Sequence, residues 1–352
     1  MRTQLTQGTY ARHVRISLGT LLSGSLLWVS MASGQVMPAL DPKVPVYQHA
    51  GAMQGTLSVA GSDTMKPLTE SWAADLRQLY PGVTIKVDST GSGHGLSRLL
   101  EGKAQIAAMS RRMTASEIVE FKREFGYEPT EVSVAIDALA VFVHKDNPIA
   151  GLTLQELDAM FSKDRRRGLK YLIHTWGDLM LDGEWTEAPV HLYGRNTSSG
   201  TTAFFREHVL DGAPIVPAMT VCAGSASVIV ELMKDRYGIG FSSIGYRTSG
   251  VRPVPLAGVP GGRYVEPTVE STMNGSYPLR RPLYLYINKA PKASPTPAVA
   301  EYVKYALSAQ GQQTVIAQGY YPLATHELQR LMASWTTPAR SASLDQSLKL
   351  RD

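Results

Sequence analysis

Cysteine is almost missing: Cys222 is the only one in 352 residues. An intrachain disulfide, a cysteine-rich zinc site and an iron–sulfur cluster are therefore excluded within one copy, and Cys222 is expected to be a small buried apolar filler. Acidic residues are missing from the first 34 positions, where Arg2, Arg12 and Arg15 stand beside an apolar run from Ile16 to Met31. Basic start, apolar middle and small residues at Ser30, Ala32 and Gly34 make the pattern of a secretory signal peptide over 1–34, with a mature start near Ser33 or Gln35. The alternative is an uncleaved anchor, but the run is shorter than the roughly 20 residues a spanning helix needs, and no later stretch approaches that length. With no cysteine at the expected mature start to carry a lipid, a soluble protein of the periplasm is expected. A strong charge excess is missing too. Lys plus Arg is 35 and Asp plus Glu 30, and much of that excess sits in the leader, so the positive coat of a nucleic-acid binder is absent.

What remains is ordinary globular composition, 43% hydrophobic and 18% charged, long enough for two domains or one large one. Residues 35–54 read as an extended arm, since Pro38, Pro42 and Pro45 prevent regular pairing. Folded sequence begins with a strand at 56–60 and a helix with the apolar face Leu68, Trp72, Leu76 and Leu79, which Asp63 or Thr64 can cap. Alternation follows: strands at 83–87, 105–109, 138–144, 190–193 and 239–242, and helices at 95–100, 115–125, 201–209 and 227–235. Thr114 with Glu117 and Thr153 with Glu156 form capping boxes. Residues 251–278 read as a Gly- and Pro-rich connector, followed by a strand at 283–287 and helices at 297–307 and 310–318. The tail, 338–352, is polar and expected to be flexible. This order argues α/β.

Four Gly, Ser or Thr clusters stand where helices begin, after predicted strands: Gly61-Ser62-Asp63-Thr64, Gly91-Ser92-Gly93-His94-Gly95, Ser110-Arg111-Arg112 and Arg195-Asn196-Thr197-Ser198-Ser199-Gly200-Thr201. A helix start has unpaired N–H groups and a partial positive charge, so small residues and hydroxyls there make a cradle for an anion. One such cluster is usually an N-cap. Four of them lie at strand C-termini, where ligands sit in open α/β sheets, and if the strands pack side by side the helix starts converge on one cleft. Arg195 adds a planar fork able to hold two oxygens of a tetrahedral anion.

With Asn147-Pro148, Ile239-Gly240-Phe241, Leu307-Ser308-x-x-Gly311-Gln312 and Gly319-Tyr320-x-Pro322, these motifs resemble, in order over residues 55–323, the periplasmic phosphate-binding proteins of ABC transporters. The resemblance implies a type II periplasmic-binding-protein clamp: lobe 1 from 55–140 plus 278–330, lobe 2 from 141–277, a two-strand hinge, and the ligand in the cleft between. It implies inorganic phosphate as ligand, an ABC permease as transient partner, no cofactor, no nucleic acid and a monomer. Carried over by position, Ser62 and Thr64 donate from the first helix start, Ser92 from the second, and Arg195, Ser199, Gly200 and Thr201 from the other lobe. Met65, Ser110, Arg111 and Asp137 complete the candidate set. One departure stands out. Well-described members place an aspartate after the serine at position 110, to accept the proton of hydrogen phosphate, and this chain has Arg111. Asp137 is the candidate replacement; its alternatives are a solvated turn acid or a partner of Arg111.

Other classes are poorly supported. No two histidines stand at metal-ligand spacing, and His326-Glu327 lacks a second histidine because position 330 is Arg330. There is no Gly-x-Ser-x-Gly elbow, and 91–95 lacks the lysine of a nucleotide loop. A secreted phosphatase would need a nucleophile, base or metal set that is not recognisable here. The remaining rival is the same clamp built for another oxyanion such as sulfate. His94 reads as a solvent-facing loop residue, and Arg165-Arg166-Arg167 as solvated surface.

Overall fold

Short apolar strands alternating with amphipathic helices set the architecture from Gly55 onward. In the computed structural model, which describes residues 39–291 and 293–336, residues 39–54 carry no helix or strand. The chain then runs β1 (Gly55–Gly61), α1 (Lys66–Leu79), β2 (Val83–Asp88), α2 (Ser92–Leu100), β3 (Ile106–Met109), α3 (Ala115–Phe125) and β4 (Thr130–His144). It continues through β5 (Leu152–Thr153), α4 (Leu154–Phe161), β6 (His191–Arg195), α5 (Gly200–His208), β7 (Thr220–Cys222), α6 (Ser225–Lys234) and β8 (Gly238–Ser243). The last elements are β9 (Val251–Pro253), β10 (Leu256–Ala257), α7 (Val269–Met273), β11 (Arg280–Ile287), α8 (Pro297–Leu307), α9 (Ala309–Ala317) and α10 (Thr325–Thr336). The expected signal peptide (1–34), the expected tail (338–352) and positions 35–38 of the expected arm lie outside the described residues.

The main sheet has the order β2-β1-β3-β11-β4-β8-β6-β7, with β9 also on β4. Parallel pairs join β1 to β2 and β3, and β6 to β7 and β8. β4 belongs to both ends: it pairs antiparallel with β11 as far as Ala138 and with β8 from Leu139. Two α/β halves thus share one strand. The C-terminal ends of β1, β2 and β3 in one half, and of β6 in the other, lead directly into the four clusters. Gly95 explains part of the second cluster: a Cβ there would meet the Gly61 Cα at 2.7 Å, so its bareness lets α2 lie against β1.

Local chemistry decides most boundaries. α3 begins with a reciprocal capping box between Thr114 and Glu117 and ends at left-handed Gly126, φ +81°. Thr114→Ala should lower stability by about 1 kcal/mol, read as a lower urea midpoint at unchanged slope. Trp72 and Trp176 are fully buried and Trp185 nearly so. Cys222 is buried at the end of β7, as expected, and burial pushes its thiol up, which keeps it inert.

Several expectations are corrected. β4 begins at Thr130, not at 138; its first half alternates outward Glu131 with inward Val132 and Val134, so it lacks the continuous apolar run of its second half. The 251–278 connector contains β9, β10 and α7, and α10 occupies a stretch to which no element was assigned. Asp63 and Thr64 do not cap α1, whose N-cap is Met65 with no side-chain hydrogen bond. His94 sits in the first turn of α2, bonded to Asp88 at 2.7 Å, not in a loop. Arg167 is half-buried and donates to the carbonyls of His208 and Val209 at the end of α5, and Arg166 donates to Asp211 O, so this run clasps a helix C-terminus rather than standing free in solvent.

Candidate functional site

The helix starts converge. Ser62 Oγ donates to Ser110 Oγ at 2.9 Å, Ser110 Oγ lies 3.4 Å from Ser92 Oγ, and Ser110 N donates to Ser92 Oγ at 3.2 Å. From the other half, the α5 start meets them: Thr201 Oγ1 lies 2.7 Å from Thr64 Oγ1, and Gly93 N donates to Ser198 O at 3.1 Å. The Gly200 Cα stands so close to Ser92 and Ser110 that a Cβ would come 2.2 and 2.6 Å from their hydroxyls. Ser62, Thr64, Ser92, Ser110, Ser199 and Thr201 are each 1% exposed or less. A ring of buried hydroxyls and helix N-termini, drawn from both halves, therefore closes about one point. Ser199 is the N-cap of α5, accepting from Thr201 N and Thr202 N, so its oxygen orients the cradle. Met65 is buried in the main core, its N–H donated to Ser62 O.

Arg195 reaches this region from the end of β6. Its Nε donates to Cys222 O at 3.2 Å and its Nη1 to Asp63 Oδ2, which also accepts from Ser225 N and Oγ at 2.9 and 2.6 Å. Arg195 Nη2 and Asp63 Oδ1 are buried without a partner among the described residues. Asp63, read from the sequence as a cap, is instead a carboxylate that ties the first helix start to Arg195 and to the α6 N-terminus.

Asp137 is fully buried. Its Oδ2 accepts from Arg281 Nε and Nη2 at 2.9 and 2.8 Å, and its Oδ1 from Ser243 Oγ at 2.7 Å. Burial pushes its carboxyl up, against the pull of Arg281 and Ser243. It is neither a solvated turn acid nor the partner of Arg111. Arg111 turns away from the ring onto Glu117, with Nη1 and Nη2 each 2.6 Å from a carboxylate oxygen. Burial would raise the Glu117 pKa, but that fork and the Thr114 N–H outweigh it and hold it below the usual range. Arg281 donates to Thr201 Oγ1 at 3.1 Å, and sequence reasoning missed it. The available clue was parity: Arg281 alternates in step with inward Leu283 and Leu285 on β11.

Buried hydroxyls and helix N-termini are the kind of donors that replace water around an anion. Removing a multiply charged oxyanion from water is tolerable only where many donors replace the solvent, and charge-assisted ones count most.

Over most of its length the chain is similar to known proteins. A model described as the PBP superfamily domain matches residues 47–310. The phosphate-binding protein PstS of Pseudomonas aeruginosa is 44% identical over 304 residues, 86% of this chain and 94% of that one. A substrate-binding protein of a phosphate ABC transporter from Clostridium perfringens, solved with bound phosphate, superposes with a TM-score of 0.65 at 25% identity, over 77% of this chain and all of that one. An ABC-type phosphate transport receptor from Vibrio cholerae shares the fold, with a TM-score of 0.59 at 21% identity, over 76% of this chain and all of that one.

Proposed function

The chain belongs to the PBP superfamily and, within it, to the phosphate-binding proteins of ABC transporters, and from that membership we propose that it captures inorganic phosphate between two lobes and hands it to a membrane permease. The observation that carries the reading is the buried ring of Ser62, Thr64, Ser92, Ser110, Gly200 and Thr201, with Arg195 beside it. The lobes are 55–140 plus 278–330 and 141–277, hinged where β4 changes partner between Ala138 and Leu139 and where the chain returns into β11; the pairing switch supports that division. The protein does nothing but bind and release an unchanged anion, as a monomer, without cofactor and without turnover. The leader pattern over 1–34 supports delivery to the periplasm.

The test is calorimetric titration of ligand-free mature protein at neutral pH against phosphate, sulfate, arsenate and molybdate. Phosphate should bind at about 1 μM or tighter, which needs about 8 kcal/mol, and sulfate at least about 100-fold more weakly, a gap of roughly 3 kcal/mol. Absence of phosphate binding, or a preference for sulfate, overturns the reading. Hydrolysis of a phosphate monoester that Arg195→Ala abolishes would move the protein to the enzymes instead.

A further inference from the structure

We propose that Arg281 is a second guanidinium ligand of the bound tetrahedral anion, aimed by Asp137 and Ser243 at the Thr64–Thr201 hydroxyl pair. The inference rests on the phosphate-capture reading and extends it to a residue outside the motifs that suggested it.

A guanidinium carries five N–H groups and no acceptor, so each buried nitrogen needs an oxygen. Arg281 is 1% exposed. Its Nε and Nη2 edge lies on Asp137 Oδ2, and Nη2 also reaches Thr201 Oγ1. Its Nη1 is buried and has no partner among the described residues. Arg195 repeats the pattern, with Nη1 on Asp63 and Nη2 buried and unpartnered among those residues. There are thus two buried forks, each balanced by one carboxylate and each with one nitrogen open: Arg281 touches the ring at Thr201, and Arg195 is tied to Asp63, the residue between Ser62 and Thr64. A tetrahedral anion is the ligand whose oxygens satisfy donors arriving from two sides.

The fork is also held too firmly to be an incidental filler. Asp137 is fixed on its far side by Ser243 at the end of β8, so the Asp137–Arg281 pair joins β4, β8 and β11 just where β4 changes partner. The Phe204 ring lies 5.5 Å from the guanidinium carbon. The chain also has Arg111 where a carboxylate was expected, and Arg111 is engaged by Glu117 outside the ring. Arg281 is the guanidinium that actually touches a ring hydroxyl.

Arg281→Lys keeps the charge and loses the fork. With wild type binding phosphate, the variant should bind at least about 30-fold more weakly, the effect of breaking a close buried charge contact. Asp137→Asn should also weaken binding, and if Asp137 works by aiming Arg281 the double variant should be no weaker than Arg281→Lys alone; a double variant clearly weaker than Arg281→Lys overturns that role for Asp137. In Arg281→Ala, free guanidinium ion should restore part of the affinity; a cavity of about 460 Å³ bordered by Arg111, Arg112, Tyr284 and Arg281 gives it access. A merely structural role would not be rescued this way. The intact protein supplies a readout that needs no variant to fold: two buried arginine side-chain ¹⁵N signals should shift when phosphate is added, where a single ligand arginine would give one. Affinity of Arg281→Lys within about threefold of wild type, below ~1 kcal/mol, or a shift confined to one guanidinium, overturns the proposal while leaving phosphate capture intact. Wild type that does not bind phosphate sinks both.

Discussion

Arg195→Ala is expected to weaken phosphate binding by on the order of 10²–10³-fold, the range for truncating one member of a buried hydrogen-bonded charge contact. The same change strands Asp63, whose carboxylate keeps Ser225 N–H and Oγ but loses the guanidinium that balances it. Stability should therefore fall as well, by about 3–5 kcal/mol. The two effects separate in a double variant. Asp63→Asn removes the stranded charge, so Asp63→Asn with Arg195→Ala should recover much of the stability, by chemical denaturation, and none of the affinity, by calorimetry. Arg195→Ala binding within tenfold of wild type would show that this guanidinium holds the protein together without holding the anion.

The pairing of Asp63 with Arg195 also marks where sequence reading stops. Features set by neighbours in the chain were legible to the residue: the Thr114–Glu117 and Thr153–Glu156 capping boxes, and α8 from Pro297 to Leu307. Each depends on contacts three or four positions apart. The clusters at the helix starts were legible for the same reason, since a Gly, Ser or Thr there has a local meaning. Asp63 has that local meaning too, and it misled. An acid before a helix reads as a cap, and nothing nearby announces a partner 132 positions away. Arg281 was hidden differently: it lies before the apolar run 283–287 from which the strand was read, although β11 begins at Arg280, with Arg280 exposed and Arg281 buried. The first half of β4 was missed because a strand covered on one face alternates, and its polar positions break the apolar run that marks the second half. Topology joined these residues, and topology is carried by long-range pairing that no window of sequence contains.

Gly200→Ala is expected to cost on the order of 100-fold in phosphate affinity, with little loss of stability in the ligand-free protein. The added Cβ would stand 2.2 Å from Ser92 Oγ, 2.6 Å from Ser110 Oγ and 2.9 Å from Ser92 Cβ. Rotating the Ser92 hydroxyl relieves the first of these contacts and not the last, so backbone must move. Gly200 belongs to α5, in the half that contains β6, while Ser92 and Ser110 follow β2 and β3 in the other. The most direct relief is for the two halves to part along the ring, because Gly200 and the two serines come from different halves. Overpacking typically costs about 1–3 kcal/mol, and here it falls on the closed arrangement, so about 3 kcal/mol appears as roughly 100-fold in affinity. Thermal denaturation reads this directly. Wild type should gain about 2.7 kcal/mol when phosphate is present at about 100 times its dissociation constant, and Gly200→Ala at the same phosphate concentration should gain less than ~0.5 kcal/mol, its dissociation constant having risen to about that concentration. A variant that melts early without phosphate would place the strain inside one half rather than between the two. A variant stabilised by phosphate as much as wild type would mean that the anion does not bind at the closed ring.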